Sequence, residues 1–222
     1  MNKLLKLFLS VLLCASIVTC ISASATITNT PKLKVRCYTM EGRHLIDVKV
    51  STDFSAAALS GTVTMSSTAA VEYLSHSIGA AADGNHNNDG YQVYDSGKAV
   101  NFGIFGDIIN GSIGDWVSIT YERKVMDGMV QLSIDSLVAS DTQGNRIVMA
   151  DPDAVEIQLG WNKGDANGDL SVDIHDMVRL IKINAGSDTS DILYEYNCDL
   201  DGDGVAGDGD LVMLKQNLLS TK

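Results

Sequence analysis

Two runs near the C-terminus place oxygen-bearing side chains at a repeating interval. The first is Asp165-Ala-Asn167-Gly-Asp169-Leu-Ser171-Val-Asp173-Ile-His-Asp176. The second is Asp199-Leu-Asp201-Gly-Asp203-Gly-Val205-Ala-Gly207-Asp-Gly-Asp210, offset by 34 residues. In both, a carboxylate or amide oxygen falls at positions one, three, five and twelve. A calcium ion takes six to eight hard oxygen ligands at roughly 2.3–2.6 Å. A twelve-residue loop supplies side-chain oxygens from one, three and five, and a backbone carbonyl from seven, here Ser171 and Val205. Position nine, Asp173 in the first copy, often works through a water, and position twelve closes the shell with both oxygens. The chemistry is therefore binding of Ca2+ at two sites. Leu170 stands at position six, where glycine usually makes the turn, and a left-handed Leu costs about 1–2 kcal/mol. Gly207 has no side chain at position nine, so water must serve there.

Each loop runs straight into a helical apolar pattern, Met177-Val-Arg-Leu180-Ile and Leu211-Val-Met-Leu214-Lys. Asp176 and Asp210 sit where those helices begin, a place where the helix dipole favours a carboxylate. An EF-hand carries a helix before its loop. Here Gly160-Trp-Asn-Lys163 leaves no room for one. Loop then helix, twice, with Asp last, resembles a dockerin of the type I kind, the plug-in module of cellulosome-type assemblies. The resemblance covers residues 165–222. It implies that Ile174 and His175 in the first copy, and Asp208 and Gly209 in the second, select the partner cohesin. It also implies that Arg179, Lys182, Lys215 and Gln216 face that partner. The two copies differ at these positions, which weighs against interchangeable binding in two orientations.

The N-terminus reads as a secretory signal. Lys3 and Lys6 precede an apolar stretch from Leu7 to Ile21, and Ala23-Ser-Ala25 is a cleavage site, so the mature chain should start near Thr26. Two lysines and no acids leave with it, taking the formal charge from -12 to -14. Such an acidic chain argues against nucleic acid and anionic membranes as partners. Of four cysteines, Cys37 and Cys198 remain. They stand one in each half, and two free thiols are favoured over a cross-module disulfide.

Between the signal and the loops the pattern has period two. Segments 32–38, 44–50 and 59–65 alternate, with Leu59, Val63 and Met65 on one face and Ser60, Thr62 and Thr64 on the other. Further strands are read at 71–74, 91–94, 99–105, 116–122, 130–138, 147–149 and 155–159. Ten short strands without a helical pattern argue for an all-β sandwich. The Gly/Asn/Asp-rich segment 80–90 reads as a solvated loop. The order of these features, with Ser96–Asp107, Gly114–Tyr121 and Leu132–Ile147 as its later parts, resembles a cohesin, a jelly-roll sandwich that receives a dockerin on one sheet face. That resemblance puts the receiving face near Thr62–Thr64 and Asn101–Phe105.

The expected organisation is thus mostly β. A signal peptide occupies 1–25, a cohesin-like β-sandwich 26–160, and a small all-α dockerin with two calcium loop–helix repeats 161–222. No nucleophile elbow, phosphate loop or zinc-spaced Cys/His set occurs. Glu41, Glu72, Glu122 and Glu156 show no pairing of the kind a glycosidase needs. The implied function is that of a secreted, non-catalytic adaptor scaffoldin. Its dockerin would bind the cohesin of a larger scaffoldin, and its cohesin-like domain would receive a dockerin-bearing enzyme or subunit. The alternative is a carbohydrate-binding module carried by a dockerin, disfavoured by an aromatic content of 6%.

Overall fold

The computed structural model describes residues 29–150, 152–160 and 162–220. The signal expected over 1–25 lies outside the described residues. All ten expected strands form: β1 (Lys32–Met40), β2 (Arg43–Ser51), β3 (Ser55–Met65), β4 (Val71–Ile78), β5 (His86–Tyr94), β6 (Ala99–Asn110), β7 (Asp115–Arg123), β8 (Met129–Ser140), β9 (Arg146–Ile147) and β10 (Val155–Gln158). An eleventh, β11 (Ile192–Tyr194), was not expected. Three helices follow the sandwich: α1 (Ile174–Asn184), α2 (Glu195–Cys198) and α3 (Asp208–Ser220).

The strands form two sheets. One runs β11-β1-β2-β7-β4, the other β10-β8-β3-β6-β5, with β9 beside β8. The nested antiparallel pairs β2–β7 and β3–β6 fold the chain as a jelly roll. Alternation sets the inner faces: Leu33, Val35 and Cys37 from β1, Leu59, Val63 and Met65 from β3, Val100, Phe102 and Ile104 from β6 are all buried. Trp116 is fully buried, and its indole N–H donates to Thr52 Oγ1 at 2.8 Å. Gly61 belongs to the same inner face. A Cβ there would lie 2.8 Å from Leu137 Cδ1, so the packing between β3 and β8 requires its absence. The solvated loop expected over 80–90 is half right. Ala81 and Ala82 are buried, and β5 already begins at His86.

The eleventh strand joins the modules. Ile192, Leu193 and Tyr194 lie between the two loops, yet they pair in parallel with Val35, Arg36 and Cys37 of β1. The C-terminal module is therefore helical with one strand lent to the sandwich, and not all-α. Tyr194 and Tyr196 are 4% exposed and complete the sandwich core. Their hydroxyls meet one residue of β10: the Gln158 N–H donates to Tyr194 Oη at 3.0 Å, and Tyr196 Oη donates to the Gln158 carbonyl at 3.2 Å. The Arg123 guanidinium sits 4.6 Å from the centre of the Tyr196 ring. Outside, Arg36 and Glu195 form a bidentate pair at 2.9 and 2.7 Å. Burying a large apolar side chain stabilises by about 1.5–3 kcal/mol, against roughly 0.2–1 kcal/mol for an exposed ion pair. The two tyrosines therefore hold the junction, and the ion pair trims it.

Cys37 lies in the sandwich core and Cys198 in the small core of the helical module, both as free thiols. Burial pushes each thiol up to about 12. At pH 8 both are protonated and enclosed. A thiol-titrating reagent should count none in the folded chain from Thr26 onward and two after denaturation; rapid labelling of either in the folded state would contradict this packing.

Candidate metal centre

The two loops are organised by carboxylates that collect backbone N–H groups. In the first, Asp165 accepts from Gly168 at 2.7 Å and from Leu170 at 2.8 Å. Asn167 Oδ1 accepts from Asp169, and Asp169 Oδ1 from Ser171. Asp176 accepts from Asn167 at 3.0 Å on one oxygen and from Asp173 at 2.8 Å on the other. The second loop repeats all of these 34 positions on. Asp199 accepts from Gly202 and Gly204, Asp201 from Asp203, Asp203 from Val205, and Asp210 from Asp201 and Gly207. Identical bonds at identical positions mean that one backbone path has been built twice.

That path needs left-handed residues at positions four and six. Gly168 and Gly202 have φ of 77° and 84°, and Gly204 has 89°. Leu170 is forced to 70°, so the strain expected at this leucine is present. Asp176 and Asp210 are buried at 0% and 1% exposure. Asp173 caps α1, accepting from the His175 N–H at 2.7 Å, and Asp176 completes the capping box.

Both donor sets fit a hard divalent cation. The carboxylates of Asp199, Asp201 and Asp203 bring an oxygen each within 4.8 Å of one another. Three like charges at that spacing repel, and a cation among them offsets the repulsion. At the same three positions the first loop has an amide in the middle and so one charge fewer, which Asp173 makes up at position nine, where the second loop has Gly207. Asp165 is 1% exposed. Burial pushes that carboxyl up, the Leu170 and Gly168 N–H groups pull it down, and the charges of Asp176 and Asp169 push it up again. No sulfur or imidazole enters either oxygen set, which suits calcium over zinc or copper. Ser171 and Val205 stand at position seven, where only the carbonyl is needed.

Behind the loops, α1 and α3 share a small core of Ala166, Leu180, Cys198, Leu200 and Leu214. So few buried side chains leave the module dependent on the loops for its order. The other faces of the helices are open. Ile174, His175 and Lys182 on α1 and Asp208, Gly209, Lys215 and Gln216 on α3 are exposed. Val178 and Ile181 join Ile174 in an exposed apolar stripe at 46%, 43% and 56%. Sequence reasoning missed that stripe, although the spacing of four and three was visible. Arg179 is a correction. It was expected on the partner face, but it points back toward the sandwich. Its guanidinium donates to the Ile192 carbonyl of β11 and to the Asn167 carbonyl at 3.4 Å, and it lies 3.4 Å from Asp188. The acceptors come from a strand that local pattern did not reveal.

On the sandwich, Thr62 and Thr64 of β3 and Asn101, Gly103 and Phe105 of β6 share one outer surface, while Phe102 and Ile104 between them face the core. Thr62 pairs with Asn101 and donates to its Oδ1 at 2.8 Å, Ser60 pairs with Gly103, and Ala58 with Phe105. Thr64 donates to Asp135 of β8 at 2.8 Å. The surface is of hydroxyls, amides and glycines with the Asp135 carboxylate among them, and Phe105 and Val138 are its exposed apolar residues. The four glutamates do not assemble a catalytic pair. Glu122 lies between Arg43 and Lys124, whose hydrogen bonds hold it down at about 2, and Glu72 pairs with the same lysine. A carboxylate so held is a poor proton donor at neutral pH.

Comparison with known proteins agrees with the C-terminal reading. Residues 163–219 match the dockerin type I domain. No curated protein matches the chain. Among solved structures the chain is similar to a non-cellulosomal cohesin from the hyperthermophilic archaeon Archaeoglobus fulgidus, at 14% identity and a TM-score of 0.47, covering 59% of this chain and 89% of that one. It is also similar to a type I cohesin–dockerin complex from Clostridium thermocellum, at 12% identity and 0.47, covering 58% and 98%. A cohesin module of a Clostridium perfringens family 33 glycoside hydrolase matches at 12% and 0.42, covering 60% and 96%. The duplicated loop–helix repeats spanning residues 163–219 are a dockerin type I domain.

Proposed function

We propose that this chain is a secreted, non-catalytic adaptor of a polysaccharide-degrading assembly. Calcium fills both loops and orders α1 and α3, whose exposed faces dock on the cohesin of a larger scaffoldin. Ile174, His175 and Lys182, and Asp208, Gly209, Lys215 and Gln216, carry that contact. Asp165, Asn167, Asp169, Asp173 and Asp176, and Asp199, Asp201, Asp203 and Asp210, with the carbonyls of Ser171 and Val205, carry the metal. The outer surface of β8-β3-β6-β5 receives the dockerin of an enzyme or another subunit. One observation carries the reading: a duplicated calcium-type loop–helix module is fused to a sandwich whose β3–β6 outer face is polar, of threonines, Asn101 and Asp135, with Phe105 exposed beside them.

The first test passes secreted proteins of the source organism over the immobilised chain, with calcium or with a chelator. Capture of both cohesin-bearing and dockerin-bearing proteins in calcium supports the adaptor. Retention on insoluble cellulose, xylan or starch, with no dockerin captured, moves the sandwich to the carbohydrate-binding class. Two variants divide the halves. Asn101→Arg should weaken capture of dockerins at least about tenfold, near 1.4 kcal/mol, and leave cohesin binding unchanged. Ile174→Asp should do the reverse, both read by surface plasmon resonance. A further variant, Asp201→Ala, should lower calcium stoichiometry by calorimetry from two to one; an unchanged stoichiometry contradicts the second site.

A further inference from the structure

The two calcium loops share one backbone path but do not share their surroundings. Around the first loop, three positions are fixed from outside it. The Asp165 carbonyl, at position one, accepts from Asn197 Nδ2 at 2.9 Å. The Asn167 carbonyl, at position three, accepts from Arg179, whose other nitrogen is bonded to the Ile192 carbonyl. Gly168, at position four, packs against the Tyr194 ring, where a Cβ would come within 2.3 Å of the ring carbon Cε2. Ile192 and Tyr194 belong to β11, and Asn197 to α2 just after it. All three supports therefore come from the connector between the repeats or pass through it.

The sandwich holds that connector. Val35 donates to the Asp191 carbonyl at 2.7 Å, Arg36 grips Glu195, and Gln158 bonds both tyrosine hydroxyls. The second loop has no comparable buttress among the described residues. A Cβ on Gly202, the counterpart of Gly168, would meet nothing within 4 Å. The residue 34 positions after Arg179 is Met213, which is exposed. The first loop also carries the left-handed Leu170, while the second has Gly204 there. The buttressed loop is thus the one whose own sequence strains it.

We infer that Tyr194 is a positioning residue for the first calcium loop, with Arg179 as its companion, and that the sandwich raises calcium affinity at that loop through β11 while leaving the second loop untouched. The inference rests on the calcium reading above. Its physical basis is linkage: a contact made only when the loop is ordered strengthens any ligand that orders the loop, and the ligand strengthens the contact by the same factor. In return, calcium in the first loop fastens the helical module to the sandwich.

The test is calorimetric calcium titration of the chain from Thr26 to Lys222, with one loop silenced at a time by Asp199→Ala or Asp169→Ala. Tyr194→Ala should weaken the first site about tenfold or more and shift the second by less than about twofold. Arg36→Glu, remote from both loops, should weaken the first site about fivefold, and adding Glu195→Arg should restore it. If Tyr194→Ala fails to fold by circular dichroism, the charge-swap pair decides. Equal losses at both sites, no loss at the first, or no rescue by the swap overturns the inference. Absence of calcium binding in the unsubstituted chain overturns the calcium reading itself and is seen before any variant is made.

Discussion

The structure depends on carboxylates that turn a loop by collecting its backbone N–H groups. Asp165 and Asp176 in one repeat, Asp199 and Asp210 in the other, fix the path of a loop too short to have a core of its own. The arrangement concentrates negative charge, most plainly at Asp199, Asp201 and Asp203. Such charge is costly until a cation offsets it. The same carboxylates start the helices, through Asp173 and Asp176 at the head of α1. Loop path and helix start are therefore one property, set by the same carboxylates.

The second constraint is the shared strand. Three residues of the connector cover the open edge of β1, and two buried tyrosines seal the seam. An uncovered sheet edge invites pairing with other chains, and β11 removes that hazard on one side of the sandwich. It also fixes the helical module without covering the apolar stripe of α1: Ile174, Val178 and Ile181 remain exposed. Two modules held by a shared strand keep a more defined relative geometry than two beads on a flexible tether. Short connections between modules limit reach but give a defined geometry.

Much of this was legible in the sequence because it was written in local periods. Alternation at Leu59, Val63 and Met65 placed β3 and its inner face, and the twelve-residue spacing placed the loops down to the strained Leu170. What was hidden depended on partners far along the chain. Ile192-Leu-Tyr194 is too short for a period-two pattern, and its pairing with β1 is a tertiary fact. Arg179 was misplaced for the same reason: its acceptors, Ile192 and Asn167, lie on either side of it in sequence and meet only once β11 docks. The start of β5 at His86 was masked by the glycine and asparagine content of 80–90, because its order comes from pairing with Gly106 and Phe105 of β6.

The proposed adaptor holds two partners at once, and calcium controls one of the contacts. Light scattering coupled to size exclusion measures this directly on a mixture of the chain, a scaffoldin cohesin and a dockerin-bearing enzyme from the same organism. In calcium, one particle with the mass of all three is expected. Adding a chelator should release the cohesin. A chain that binds only one partner at a time, or that keeps the cohesin at full occupancy without calcium, would contradict the adaptor reading.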